Sequence, residues 1–222
     1  NPASLRVTGF LDRSAAGFGL IQRSRQFSDY LDPEAGYERR PSQWVEPGEG
    51  DWGSGRVELV EIPSPDETHD NIVAYWVPDR PLARGDTLRF RYRTLTLGEG
   101  PRHRHLAGVV RTRHGWGAVP GTTDPPAPEQ LRHFSVLFRG GELASLRPEQ
   151  PVEVVLETTR GEVSAVRLVR LPDRETWMAS FLLSTRPGQV ADLRLYLALH
   201  GRPLSETWSY LWSPDVLAAG PR

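Results

Sequence analysis

The 222 residues suffice for one large β domain or two small ones with a real core. Frequent Gly (21) and Pro (20) argue against a helical bundle, and seven Trp, seven Phe and six Tyr make the apolar content bulky and suited to sheets. A net charge of −1 gives no global pull towards nucleic acid or acidic membranes, zero Cys excludes disulfides and thiolate chemistry, and no apolar run reaches the ~18 residues of a membrane-spanning helix.

The chain opens on Asn1 with no initiator Met or signal-like stretch. It reads as a processed chain, a cut domain or a fragment, which leaves its compartment open. The first fifty residues predict structured loops with short strands at Leu5–Phe10 and Phe18–Gln22 and a helical turn near Phe27–Leu31. Period-2 alternation then predicts strands at Val57–Ile62, Asn71–Val77 and Thr87–Leu95. In the third, Leu88, Phe90 and Tyr92 alternate with Arg89, Arg91 and Arg93. Residues 99–128 are rich in Gly, Pro, Arg and His and read as a linker with an embedded loop, since Pro cannot donate to a ladder. Strands recur at His133–Phe138, Val152–Glu157, Ser164–Arg170, Trp177–Ser184, Leu193–Leu199 and Thr207–Trp212, separated by Gly-containing turns. That spacing predicts an immunoglobulin-like β-sandwich over 129–222 without the Cys pair.

Two constellations carry chemistry. Tyr37, Arg39 and Arg40 precede Pro41, with Trp44 and Trp52 nearby. Pro41 forces Arg40 extended, so Arg39 and Arg40 point to opposite sides. Aromatic rings and charged donors on loops of a β scaffold suit sugar, the rings covering C–H faces and the charges binding hydroxyls. The alternative is that each Trp is simply core. The second constellation is Asp66-Glu-Thr-His-Asp-Asn71, directly before an apolar strand. Crowded carboxylates raise one another's pKa, so one can serve as general acid, and Asp70 is the best placed for partial burial. The competing reading is a solvated acidic turn. His69 raises the thought of a Ser/His/Asp grouping, but no Gly-x-Ser-x-Gly elbow is present.

Other signals are weak. His103-x-His105 lacks a third ligand at sensible spacing, so no metal is expected. Arg84-Gly-Asp86 reads as a hairpin turn rather than an adhesion tripeptide. Arg102, Arg104, Arg111 and Arg113 form a basic loop without the aromatic interleaving of nucleic-acid binders. No Walker loop or dinucleotide fingerprint occurs, so no cofactor is expected. All 27 basic residues are Arg, which excludes lysine nucleophiles.

The first hundred residues resemble the periplasmic glucans biosynthesis protein G/D family of Gram-negative bacteria. The matching runs are Gly17-Phe-Gly-Leu-Ile-Gln-Arg23, Tyr37-Glu-Arg-Arg-Pro-Ser42, Trp44-Val-Glu-Pro47, Gly50-Asp-Trp-Gly53, Val57-Glu-Leu-Val-Glu-Ile-Pro63 and Asp66-Glu-Thr-His-Asp-Asn-Ile-Val-Ala-Tyr-Trp-Val-Pro78. The resemblance implies an all-β protein: residues 1–98 as the C-terminal part of a large β-supersandwich of the galactose mutarotase type, followed by the immunoglobulin-like sandwich. It implies a periplasmic protein acting on osmoregulated glucans with a β-1,2-linked backbone, some members being similar to inverting endo-β-1,2-glucanases. Carried over, the general acid falls on Asp70, and Tyr37 and Arg40 match cleft positions; Glu67, three residues before the acid, and Trp44 and Trp52 of the aromatic cluster are expected as further substrate contacts. His69 replaces the usual Asn, Pro33 interrupts an Asp-Leu-Glu-Ala run, and Gly48-Glu49 adds a residue. Family proteins are longer, and the catalytic base is expected in sequence this chain lacks. The competing expectation is a non-catalytic glucan-binding or assembly factor, with a second copy of the chain or a membrane glucan synthase as partner. A structural β-sandwich adhesin is the third reading, and the motif match argues against it.

Overall fold

The computed structural model describes residues 4–12, 15–48, 52–66, 68–98, 105–147 and 149–214. Among them the fold is all-β: fourteen strands, and helical structure confined to three 3₁₀ turns. The chain divides into two compact units, Asn1–Arg102 and His103–Arg222.

In the first unit, β1 (Arg6–Asp12), β2 (Phe18–Leu20), β3 (Ser42–Pro47), β4 (Gly55–Glu61), β5 (Ile72–Pro78) and β6 (Tyr92–Leu97) form two antiparallel sheets, ordered β1-β4-β5 and β2-β3-β6. Pairing of Glu58 with Tyr75 and Val57 with Trp76 puts Arg56, Glu58 and Tyr75 on one face and Val57, Leu59 and Trp76 on the other. β6 starts five residues later than the alternation predicts. Its first partner is Pro47, and one further bond, from Gly48 N–H to the Arg91 carbonyl at 2.8 Å, ends the ladder, so residues 87–91 hold no strand. The 3₁₀ turn at Phe27–Asp29 falls where a helical turn is expected. Among the described residues of this unit, Ala15 is the one buried hydrophobic side chain, whereas Leu11 and Leu31 are 74% and 71% exposed.

The second unit is a two-sheet sandwich. It comprises β7 (Gly108–Trp116), β8 (Leu131–Arg139), β9 (Val152–Thr158), β10 (Glu162–Arg170), β11 (Thr176–Ser184), β12 (Ala191–Leu199), β13 (Arg202–Pro203) and β14 (Trp208–Trp212). One sheet runs β10-β11-β8-β7; in the other, β12 is flanked by β9 on one edge and by β13 and β14 on the other. Period-2 alternation turns Phe134, Val136 and Phe138, Phe181 and Leu183, and Leu193, Leu195 and Leu197 into one shared core, all fully buried. The Phe134 and Phe181 rings stack at 5.1 Å within it. The linker expected over 99–128 is corrected here. Residues 108–116 are the edge strand β7, paired with β8 along its length. Its Gly and Arg content hides it because an edge strand has one open side, where Arg and a bulge at Val110 blunt further pairing.

Candidate functional site

The Tyr37–Arg40 segment is shaped by a short chain of local constraints. Gly36 is buried in the left-handed region at φ 55°, and a 3₁₀ turn at Tyr37–Arg39 follows. Arg40 then leaves in an extended conformation, as Pro41 requires. This geometry folds the exposed Arg40 guanidinium over the half-buried Tyr37 ring at 4.4 Å. Arg39 instead pairs with Glu38 at 3.3 Å. The Tyr30 ring lies 5.7 Å from Tyr37.

Two residues that sequence reasoning missed hold this segment. The Gln22 side-chain amide lies 2.6 Å from the Tyr30 hydroxyl and 3.0 Å from both the Ser24 and Tyr37 carbonyls, which accept from it. The Arg25 guanidinium donates to the Arg40 carbonyl at 3.0 Å, the Glu38 carbonyl at 3.4 Å and the Ser42 hydroxyl at 3.2 Å. Both lie in a run without alternation or cap pattern, and their side-chain bonds to residues 37–42 span 13 to 17 residues, so no local signal marks them.

The two tryptophans are engaged by neighbours. Trp44, in β3, covers Gly17 so closely that a Cβ there would sit 2.5 Å from the indole. Trp52 is half-buried among Phe18, Trp76, Phe90 and Tyr92, at ring separations of 5.1 to 6.3 Å, and donates its N–H to the Arg91 carbonyl at 3.2 Å. A shallow hollow of about 360 Å³ opens beside Trp52, lined also by Asp79, Arg80, Arg89 and Phe90.

The acidic turn joins β4 to β5 and is closed by Ile62 N–H donating to the Asn71 carbonyl at 2.7 Å. Asp66 Oδ1 gathers the Thr68 hydroxyl at 2.6 Å, His69 Nδ1 at 2.8 Å and the Thr68 N–H at 2.9 Å. These contacts, the Thr68 hydroxyl foremost and His69 next, hold the Asp66 carboxyl below the usual carboxylate range. Crowding therefore does not raise it. Thr68 points its hydroxyl at Asp66, and His69 turns Nδ1 to the same oxygen, so the three do not form a nucleophile–base relay. Asp70 is exposed, not partly buried, because it precedes the first strand residue, Ile72. Its carboxylate has no hydrogen bond or ion pair among the described residues. Glu67 and His103 lie outside the described residues.

On β4 and β5, the Tyr75 hydroxyl donates to Glu58 at 2.7 Å and Arg56 pairs with the same carboxylate at 2.7 Å. Both contacts, Tyr75 first, lower the Glu58 pKa. Arg84-Gly85-Asp86 forms a turn in which Asp86 accepts from Arg80 at 3.0 Å and from the Ala83 N–H at 3.1 Å. The strand expected to follow that turn directly begins only at Tyr92.

Residues 1–212 match the sequence model of a family described as "Periplasmic glucan biosynthesis protein, MdoG". The chain is 44% identical over 223 residues to glucans biosynthesis protein D 2 of Ralstonia nicotianae, covering 100% of this chain and 41% of that protein. It is 43% identical to glucans biosynthesis protein D of Xanthomonas axonopodis pv. citri, over 96% of this chain and 40% of the relative. The protein of the same name from Stenotrophomonas maltophilia is 42% identical over 100% of the chain and 41% of its own length. The chain thus spans about two fifths of these curated relatives.

Proposed function

The chain belongs to the periplasmic glucan biosynthesis protein family, and from that premise we propose that it acts in the periplasm on a β-1,2-linked glucan. In this reading it forms part of an inverting endo-β-1,2-glucanase in which Asp70 is the general acid. Inversion needs a protonated carboxyl at the leaving glycosidic oxygen and a second carboxylate that activates water on the opposite face of the sugar. The observation that carries the assignment is the contrast within the acidic turn. Asp66 is occupied by Thr68 and His69, while the Asp70 carboxylate is exposed and uncommitted among the described residues and so open to a ligand. Arg40, presented on the Tyr37 ring, supplies charged donors to sugar hydroxyls, and the Tyr37 hydroxyl orients sugar or water. Glu67 serves as a further cleft contact, with Trp44 and Trp52 supporting the wall. The base is assigned to the part of a family-length protein that these 222 residues do not span.

The relatives are named for biosynthesis, which favours a second reading: a non-catalytic factor that holds glucan and passes it to a membrane glucan synthase. The two part on one assay. A family-length protein incubated with linear β-1,2-glucan should release new reducing ends. Glucan binding without release supports the second reading, and absence of both overturns each.

A further inference from the structure

We propose that Gln22 and Arg25 are positioning residues for the Tyr37–Arg40 saccharide contact, an inference that rests on the glucan reading above. The contact depends on backbone shape. Arg40 reaches the ring of a residue three positions earlier because the 3₁₀ turn closes, with Arg39 N–H donating to the Gly36 carbonyl at 3.0 Å and Arg40 N–H to the Tyr37 carbonyl at 3.2 Å. A three-residue turn at the surface has too few internal bonds to hold one geometry.

Two side chains supply what the turn lacks. Gln22 takes the Tyr37 carbonyl and the Tyr30 hydroxyl, so the tyrosine that neighbours the Tyr37 ring is fixed by the same amide. Arg25 takes the Glu38 and Arg40 carbonyls, which lie on either side of Arg39. The buried Ser42 hydroxyl then ties both to the start of β3, accepting from the Gln22 N–H at 3.0 Å and from Arg25. The β2–β3 ladder sets this meeting, because pairing of Leu20 with Gln43 brings residue 22 opposite the entry to β3. Arg25 keeps its own Nε buried and unpaired in this arrangement. Such a loss is ordinarily avoided, and here the gain is a turn with three of its carbonyls satisfied.

Gln22→Glu is the sharpest perturbation: size is kept, but a carboxylate then faces the Ser24 and Tyr37 carbonyls, which also only accept. In the full chain, we expect amide hydrogen exchange at Arg39 and Arg40 to quicken at least about tenfold. Affinity for a linear β-1,2-linked glucan oligosaccharide, measured by titration calorimetry, should fall about tenfold. The affinity loss should vanish in a Tyr37→Ala/Arg40→Ala background, because a positioning residue acts only through the residues it positions. An equal loss in that background overturns the inference, as does unchanged exchange at Arg39 and Arg40. A parent chain that binds no glucan overturns the functional reading and the ligand named here; the exchange result tells that failure apart from failure of the bracket itself. Arg25→Lys, which keeps the charge but cannot span two carbonyls and a hydroxyl, should follow Gln22→Glu in both measurements.

Discussion

Asp70→Asn and Asp66→Asn make a matched pair of probes, since both remove one carboxylate from the same turn. Asn at position 70 keeps shape and hydrogen bonding but has no proton for the leaving oxygen. Loss of a positioned general acid costs on the order of 10²–10⁴-fold in rate, or about 2.7–5.5 kcal/mol in the barrier. Asn at position 66 still offers an amide oxygen to the Thr68 N–H and hydroxyl, so the turn persists. Only the exposed contact with His69 loses its charge, and exposed ion pairs contribute little. Its rate should therefore stay within about tenfold of the parent. The assay is reducing-end release from linear β-1,2-glucan by a family-length protein, with affinity measured separately so that binding and turnover are resolved. The reasoning fails if Asp66→Asn loses as much activity as Asp70→Asn, or if Asp70→Asn cleaves at the parent rate.

Residues 103–222 expressed alone should melt cooperatively as a monomer, because the core shared by their two sheets is complete. Residues 1–102 should not; a monomeric, cooperatively melting 1–102 would show that their exposed apolar side chains need no cover. The second unit should also lose stability in mild acid. Arg132, only 5% exposed, donates to His114 Nδ1 at 2.7 Å, so His114 must be neutral there, and burial, reinforced by Arg132, lowers its pKa. Stability is then full above the unfolded value near 6.5 and falls as the pH drops below it, because the unfolded chain takes up a proton that the folded one resists. Melting temperatures from pH 7.5 to 5 should show this slope, and His114→Gln, which keeps an acceptor, should flatten it; equal slopes would remove His114 as the cause.

The second unit was readable wherever one strand face is dry and the other wet. Phe134, Val136 and Phe138 alternate in sequence because they alternate between core and surface, and the boundaries of β8 to β12 fall within two residues of the expected ones. β7 was not, since a charged edge strand with two glycines leaves no such imprint. β3, Ser-Gln-Trp-Val-Glu-Pro, escaped for a related reason: its neighbours are the three-residue β2 and the late-starting β6, and its side chains from Trp44 to Pro47 are half-buried on both faces. The Thr87–Leu95 alternation misled because a pattern states what a segment can pair, not that a partner is beside it. At the proposed site, Tyr37, Arg40 and Asp70 are assigned from their local motifs alone. Gln22 and Arg25 act on backbone carbonyls 13 or more residues away, and a carbonyl carries no residue identity to read.

What separates the two proposed readings is the fate of one proton rather than the shape of a cleft. Both proposed readings require glucan hydroxyls to be held, and both assign that task to Arg40 on its tyrosine platform with the bracket beneath it. Substitutions there weaken either function and discriminate nothing. Asp70 is different because its carboxylate is committed to no neighbour among the described residues. A binding protein would use such a group as one more acceptor for sugar hydroxyls, and Asn, also an acceptor, would replace it with a modest change in affinity and no loss of further function. A hydrolase would keep its affinity and lose its turnover with the same substitution. Asp70→Asn therefore yields opposite signatures for the two readings from a single protein, provided that binding and product formation are measured on the same glucan.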